Sequence, residues 1–145
     1  MKTRLQQTIV PLLLALLPGF IFAQHGEKTF VKAFNLEGNL TVFIDLDGEV
    51  EVKTWPEEQM RLLMNVHLEN GSDVMLKSLM QAGRYSLQSE ELTKGFTVFA
   101  PQLEKEVRMR NGQSLVEMIS YTLYVPTNVQ VLTRKNIGEL SLSTQ

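Results

Sequence analysis

The feature that most constrains this chain is an alternation of period two. Met60, Leu62, Met64, Val66 and Leu68 alternate with Arg61, Leu63, Asn65, His67 and Glu69. Successive side chains of an extended segment point to opposite faces, so the first set is expected to line a core and the second mostly to meet water. The pattern returns in Leu40, Val42 and Ile44, in Val50 and Val52, and in Val107 and Met109. It returns again in Tyr121, Leu123 and Val125, in Val129 and Val131, and in Leu140 and Leu142. Turn residues separate these runs: Glu37-Gly38-Asn39, Asp47-Gly48, Asn70-Gly71, Asn111-Gly112 and Pro126-Thr127-Asn128. Many short strands at close spacing predict an all-β domain, solenoid-like or sandwich-like in build.

One segment departs from this period. Met75, Leu76, Leu79 and Met80 form one helical face, Ser72 can cap its start and Gly83 can end it. Residues 73–82 are therefore expected to form a short helix covering an open end or face of the sheet.

The stretch FIDLDGEVEVKTW, Phe43 to Trp55, raises the question of a metal. Asp45, Asp47 and Gly48 could begin a calcium loop, which needs oxygen ligands at several alternating positions and a closing carboxylate. No third Asp or Asn follows in register, and Glu49 and Glu51 alternate with Val50 and Val52 on a strand. Asp-Gly between two alternating runs is a hairpin signal, because glycine readily takes positive φ. The stretch is read as a turn.

The N-terminus carries a secretory pattern. Lys2 and Arg4 precede an apolar run from Ile9 to Phe22, and Ala23 supplies a small residue before Gln24. Residues 1–23 are expected to be a signal peptide cleaved after Ala23, since the run is short and holds Pro11 and Pro18. Export to the periplasm or outer cell surface follows, with no stable membrane span after cleavage. The mature chain, residues 24–145, is about 120 residues long, which suits one domain. Loss of Lys2 and Arg4 takes the formal charge from −2 to −4, which argues against nucleic acid as a partner. The chain has 0 cysteines, so a packed core must supply its stability.

Catalytic signals are absent. His25 lies at the expected mature N-terminus, where disorder is the default, and His67 falls on the polar face of a strand. Neither has a histidine partner at metal-ligand spacing. There is no Gly-x-Ser-x-Gly elbow and no phosphate loop. The cluster Glu104, Lys105, Glu106, Arg108 and Arg110 reads as a solvated strand face, and Glu90-Glu91 as a polar loop. The sequence thus assigns no catalytic, cofactor-binding or metal-ligating residue and implies no cofactor. Trp55, just before Pro56, is either a core anchor at a sheet corner or an aromatic platform for a small ligand such as a glycan. Tyr85 is its candidate companion in ligand contact.

An internal echo adds to the picture. LTVFIDLDGEVEVKT (Leu40 to Thr54) resembles VQVLTRKNIGELSLST (Val129 to Thr144). Two such units suggest stacked rungs of a solenoid, or else two hairpins alike by chance. The order of GNLTVFIDLDGEVEVKTW, GRYSL, GFTVFAP and YTLYVPTNVQVLTRKNIGELSLST resembles the adhesin-like, or head-GIN, domain family of Gram-negative envelopes. That resemblance implies a right-handed β-solenoid, no established enzymatic activity and no transferable site residue. The expected function is a non-enzymatic envelope module for binding or scaffolding. Its partner would be a protein, or a second copy, docking on an exposed strand edge formed by Glu139, Leu140, Ser141, Leu142 and Ser143.

Overall fold

The computed structural model describes residues 25–93 and 95–136. The expected leader and the strand at Glu139 to Ser143 lie outside those residues. Among the described residues the fold is mostly β, with eight strands in two mixed sheets, one short helix after the fourth strand and helical backbone again at 134–136. The strands are β1 (His25–Phe34), β2 (Thr41–Asp45), β3 (Glu49–Trp55), β4 (Met60–Ser72), β5 (Gln88–Leu92), β6 (Gly95–Phe99), β7 (Glu117–Pro126) and β8 (Gln130–Thr133); α1 is Asp73–Gln81. The first sheet has the order β1-β4-β7-β3 and the second β5-β6-β2-β8. In the first, β4 pairs antiparallel with β1 and β7, while β3 pairs parallel with β7. In the second, β2 is parallel to both β6 and β8, and β5 is antiparallel to β6.

Both sheets feed one apolar core. Met60, Leu62, Met64, Val66 and Leu68 of β4 are all 0% exposed, as the alternation predicts. Tyr121, Leu123 and Val125 of β7 join them, with Val42 and Ile44 of β2 and Phe96 and Val98 of β6. The helix forms where the caps place it. Ser72 Oγ accepts a hydrogen bond from the Met75 amide at 3.3 Å, satisfying one donor of the first turn. Leu76 is buried in the core, and Met75, Leu79 and Met80 pack against it.

Several local expectations are corrected. Asp47-Gly48 is not a hairpin, because β2 and β3 lie in different sheets. The same positive φ, +131° at Gly48, serves a corner that carries the chain from one sheet to the other. Asn70-Gly71 is no turn either: β4 runs on through it to the cap of α1. Val107 and Met109 belong to no named strand. A single bridge, Arg108 to Ser114, closes a small loop at Asn111-Gly112 there, and the charged residues around it project from that loop.

Glu90-Glu91 lies in β5, an edge strand exposed along its whole length. Its negative charges discourage pairing with another chain. The segment from His25, expected to be disordered, is β1. It offers only Phe30 and Phe34 to the core, and its backbone ladder along β4 supplies the rest. Leu40, expected to face inward, is 57% exposed.

Candidate functional site

The aspartates of the sheet-crossing corner hold a guanidinium. Arg134, just after β8, reaches Asp45 through Nε at 2.6 Å, Asp47 through Nη1 at 2.7 Å and Glu104 through Nη2 at 2.7 Å. Burial opposes the charge, but the hydrogen bonds to Asp45, Asp47 and Glu104 are the larger effect and raise the Arg134 pKa. The cluster ties the end of β8 to the corner between β2 and β3 and to the loop after β6. All four side chains are more than a third exposed, so water and salt weaken it. Among the described residues, no group of three His, Cys, Asp or Glu is placed to hold a metal ion.

A second polar cluster is buried. Arg84, in the turn after α1, pairs bidentately with Glu117 at the start of β7. Its Nε donates to Oε1 at 2.8 Å and its Nη2 to Oε2 at 2.5 Å. Its Nη1 donates to the carbonyls of Gln102 and Lys105 at 2.8 and 3.0 Å. The Tyr85 hydroxyl donates to Glu117 Oε1 at 2.7 Å. The Arg84 and Glu117 side chains are 9% and 10% exposed.

Burial pushes the Glu117 carboxyl up. The bonds from Arg84 and Tyr85 outweigh that and hold it below its ordinary value. Burial, followed by the bond to Glu117, raises the Tyr85 phenol. Every oxygen of the carboxylate is engaged, so the cluster is built to fasten three segments together. Nothing local in the sequence marks this cluster, because Arg84 and Glu117 are 33 residues apart. The available signal was the period of β7: two steps back from Tyr121 and Ile119, Glu117 falls on the inward face.

The two residues expected to share a ligand are far apart. Tyr85 is 4% exposed, with its ring 5.2 Å from that of Phe30 and its hydroxyl on Glu117, the first residue of β7. Trp55 pairs with Pro126, the last residue of β7. A strand of this length separates them by about 30 Å. Trp55 is not a core anchor. It is half-buried, its ring is 5.6 Å from that of Tyr124, and the Arg61 guanidinium lies over it at 4.7 Å. Its indole N–H donates to the Gln59 carbonyl at 2.9 Å. Beside it is an open cavity of about 390 Å³, lined by Asn35, Asn39, Glu57, Glu58 and Asn128 among others.

Among the described residues, β3 stands at the outer end of its sheet, with β7 on its other side. Val50 is half-buried and Val52 is 44% exposed on that strand. No protein-family model, curated protein or solved structure matches this chain.

Proposed function

We propose that this chain is an exported, non-enzymatic module of the bacterial cell envelope, which binds a protein partner or a second copy through an exposed strand edge. The adhesin-like family resemblance belongs to this reading, as does a solenoid-like coil. The observation that carries it is the register between β2 and β8. Thr41, Val42, Phe43 and Ile44 lie beside Gln130, Val131, Leu132 and Thr133 as parallel neighbours. The sequence echo aligns the same residues with one another. Stacked units of this kind end in unpaired backbone groups, which template the addition of another strand.

The test is removal of everything after Asn136, with mass measured in solution. The chain lacking its leader is expected to run as an assembly and the truncated chain as a monomer. An assembly of unchanged mass after truncation would remove that edge as the contact.

A second reading rests on Trp55 and the cavity beside it, lined by polar and apolar residues alike, which suit a glycan held against an aromatic ring. Tyr124, rather than Tyr85, is the neighbouring ring. The chain has 1 tryptophan, so its fluorescence reports this place alone. Quenching that saturates as an oligosaccharide is added is the expected result under this reading. An emission that no sugar moves would discard it.

A further inference from the structure

We infer that the cavity beside Trp55 takes a sugar carrying a free ammonium group, such as a glucosamine unit, in preference to a neutral or acidic sugar. The inference rests on the glycan reading of the same cavity and adds the charge of its ligand. The experiment below tells the failure of one from the failure of the other.

The cavity opens where three connections meet: β1 to β2, β3 to β4, and β7 to β8. The charge of its wall is one-sided. Glu37, Glu57 and Glu58 line it, and no lysine or arginine does. Among the described residues, no ion pair reaches any of the three. Asp45, Asp47, Glu51, Glu104, Glu106 and Glu117 each have a basic partner. Like charges around one hollow, with no counter-charge in its wall, give it a negative potential that draws cations.

Two cations lie close to the Trp55 end of the sheet. Arg61 sits over the Trp55 ring and Lys53 over that of Tyr124. Both stand in one row across β4, β7 and β3, on the face turned away from the core, and neither lines the cavity.

Charge alone would suit any cation, and the rest of the wall narrows the choice. Trp55 is half-buried and Leu40 is 57% exposed, so both offer apolar surface to the carbon face of a sugar ring. Side-chain amides supply partners for its hydroxyls. Asn35 Oδ1 accepts from the Glu37 amide, and Asn39 Nδ2 donates to the Leu36 carbonyl and to Glu91. Asn35 Nδ2 is left as a donor, Asn39 Oδ1 as an acceptor, and the Asn128 amide offers both. A lysine side chain would meet the carboxylates and leave these amides to water. An amino sugar engages both sets, its ammonium group through charge-assisted hydrogen bonds.

Trp55 fluorescence, followed at mildly acidic pH where the amine is protonated, is the readout. The probes are a glucosamine tetrasaccharide, its N-acetylated counterpart, an oligogalacturonate and tetralysine. The first two differ only in whether the nitrogen carries a charge or an acetyl group. The glucosamine oligomer is expected to bind on the order of tenfold or more tighter than each of the others. That margin should narrow as salt is raised. It should narrow also in the variant joining Glu57→Gln with Glu58→Gln, whose side chains are exposed. Salt dependence in the native chain decides the point if that variant folds poorly.

Equal or tighter binding of the acetylated or the acidic oligomer would overturn the proposal and leave the glycan reading standing. So would a margin that neither salt nor the variant reduces. Equal binding of tetralysine would overturn it too, since the cavity would then read charge without the sugar. If no sugar moves the emission or gives heat in a calorimetric titration, the glycan reading itself falls, and this inference with it.

Discussion

Arg84→Met is expected to lower the stability of the domain by about 3–5 kcal/mol near neutral pH, the cost of breaking a buried ion pair on one side. Glu117 would keep the Tyr85 hydroxyl as a partner but lose both bonds from the guanidinium. The carbonyls of Gln102 and Lys105 would lose their donor as well. Adding Glu117→Gln to the same chain should restore part of the loss, because the uncompensated charge goes with it. If the double variant is as unstable as the sum of the two single ones, the pair is not coupled and the argument fails.

The pH dependence gives the same prediction a second readout. In the native chain the Glu117 carboxyl is held below its ordinary value of 4.5. A group depressed in the folded state adds stability above its unfolded pKa, and that contribution is lost as pH falls through the folded one. Arg84→Met reverses the sign. Burial remains, the guanidinium is gone, and the carboxyl is pushed upward, so protonation now favours the folded form. The variant should therefore be worst near neutrality and close its gap with the native chain as pH falls through the carboxylate range. Urea midpoints measured across that range check it, and a gap that widens on acidification would refute it.

This cluster also shows what the sequence made legible and what it hid. The inward faces of β4 and β7 could be read directly, because period two is a property of one strand and needs no knowledge of its neighbours. The helix could be read for the same reason: Ser72 and Gly83 act within a few residues of themselves. The pairing of strands could not. Asp47-Gly48 permits a positive φ, and that torsion suits a hairpin or a sheet-to-sheet corner equally well. Only the partners of β2 and β3 distinguish the two.

Glu117 and Arg84 are 33 residues apart in sequence. Each alone looks like a surface charge. Asp45 and Asp47 read correctly as part of a bend, yet their guanidinium comes from Arg134, 89 residues beyond Asp45. Tyr85 reads from sequence as a ligand contact because aromatic rings serve surfaces and cores alike. Its burial is set by Phe30 and Glu117, which arrive from β1 and β7.

Gly48→Ala is expected to be nearly as damaging as the loss of Arg84, for a reason that owes nothing to charge. Its φ of +131° lies where side chains are rarely tolerated, and a Cβ there would stand 2.6 Å from the Ile119 carbonyl oxygen. That oxygen belongs to β7 and cannot swing aside as a flexible side chain could. Backbone strain of about 1–3 kcal/mol and displacement of the packed neighbour at about 1–3 kcal/mol together predict a loss of about 2–6 kcal/mol. Gly38→Ala is the matched comparison. Gly38 has φ +83° and nothing within 4 Å of a Cβ, so only the torsional cost of about 1–2 kcal/mol applies.

The two variants separate conformational strain from close approach. If urea unfolding gives them equal losses, the corner does not press on β7. A larger loss at Gly48 means that the crossing between the sheets is held against the strand that leads to Tyr121. The aspartates flanking this corner grip Arg134, so the same substitution should also loosen the end of β8. Faster amide exchange at Leu132 and Thr133 in Gly48→Ala, and not in Gly38→Ala, is the expected sign.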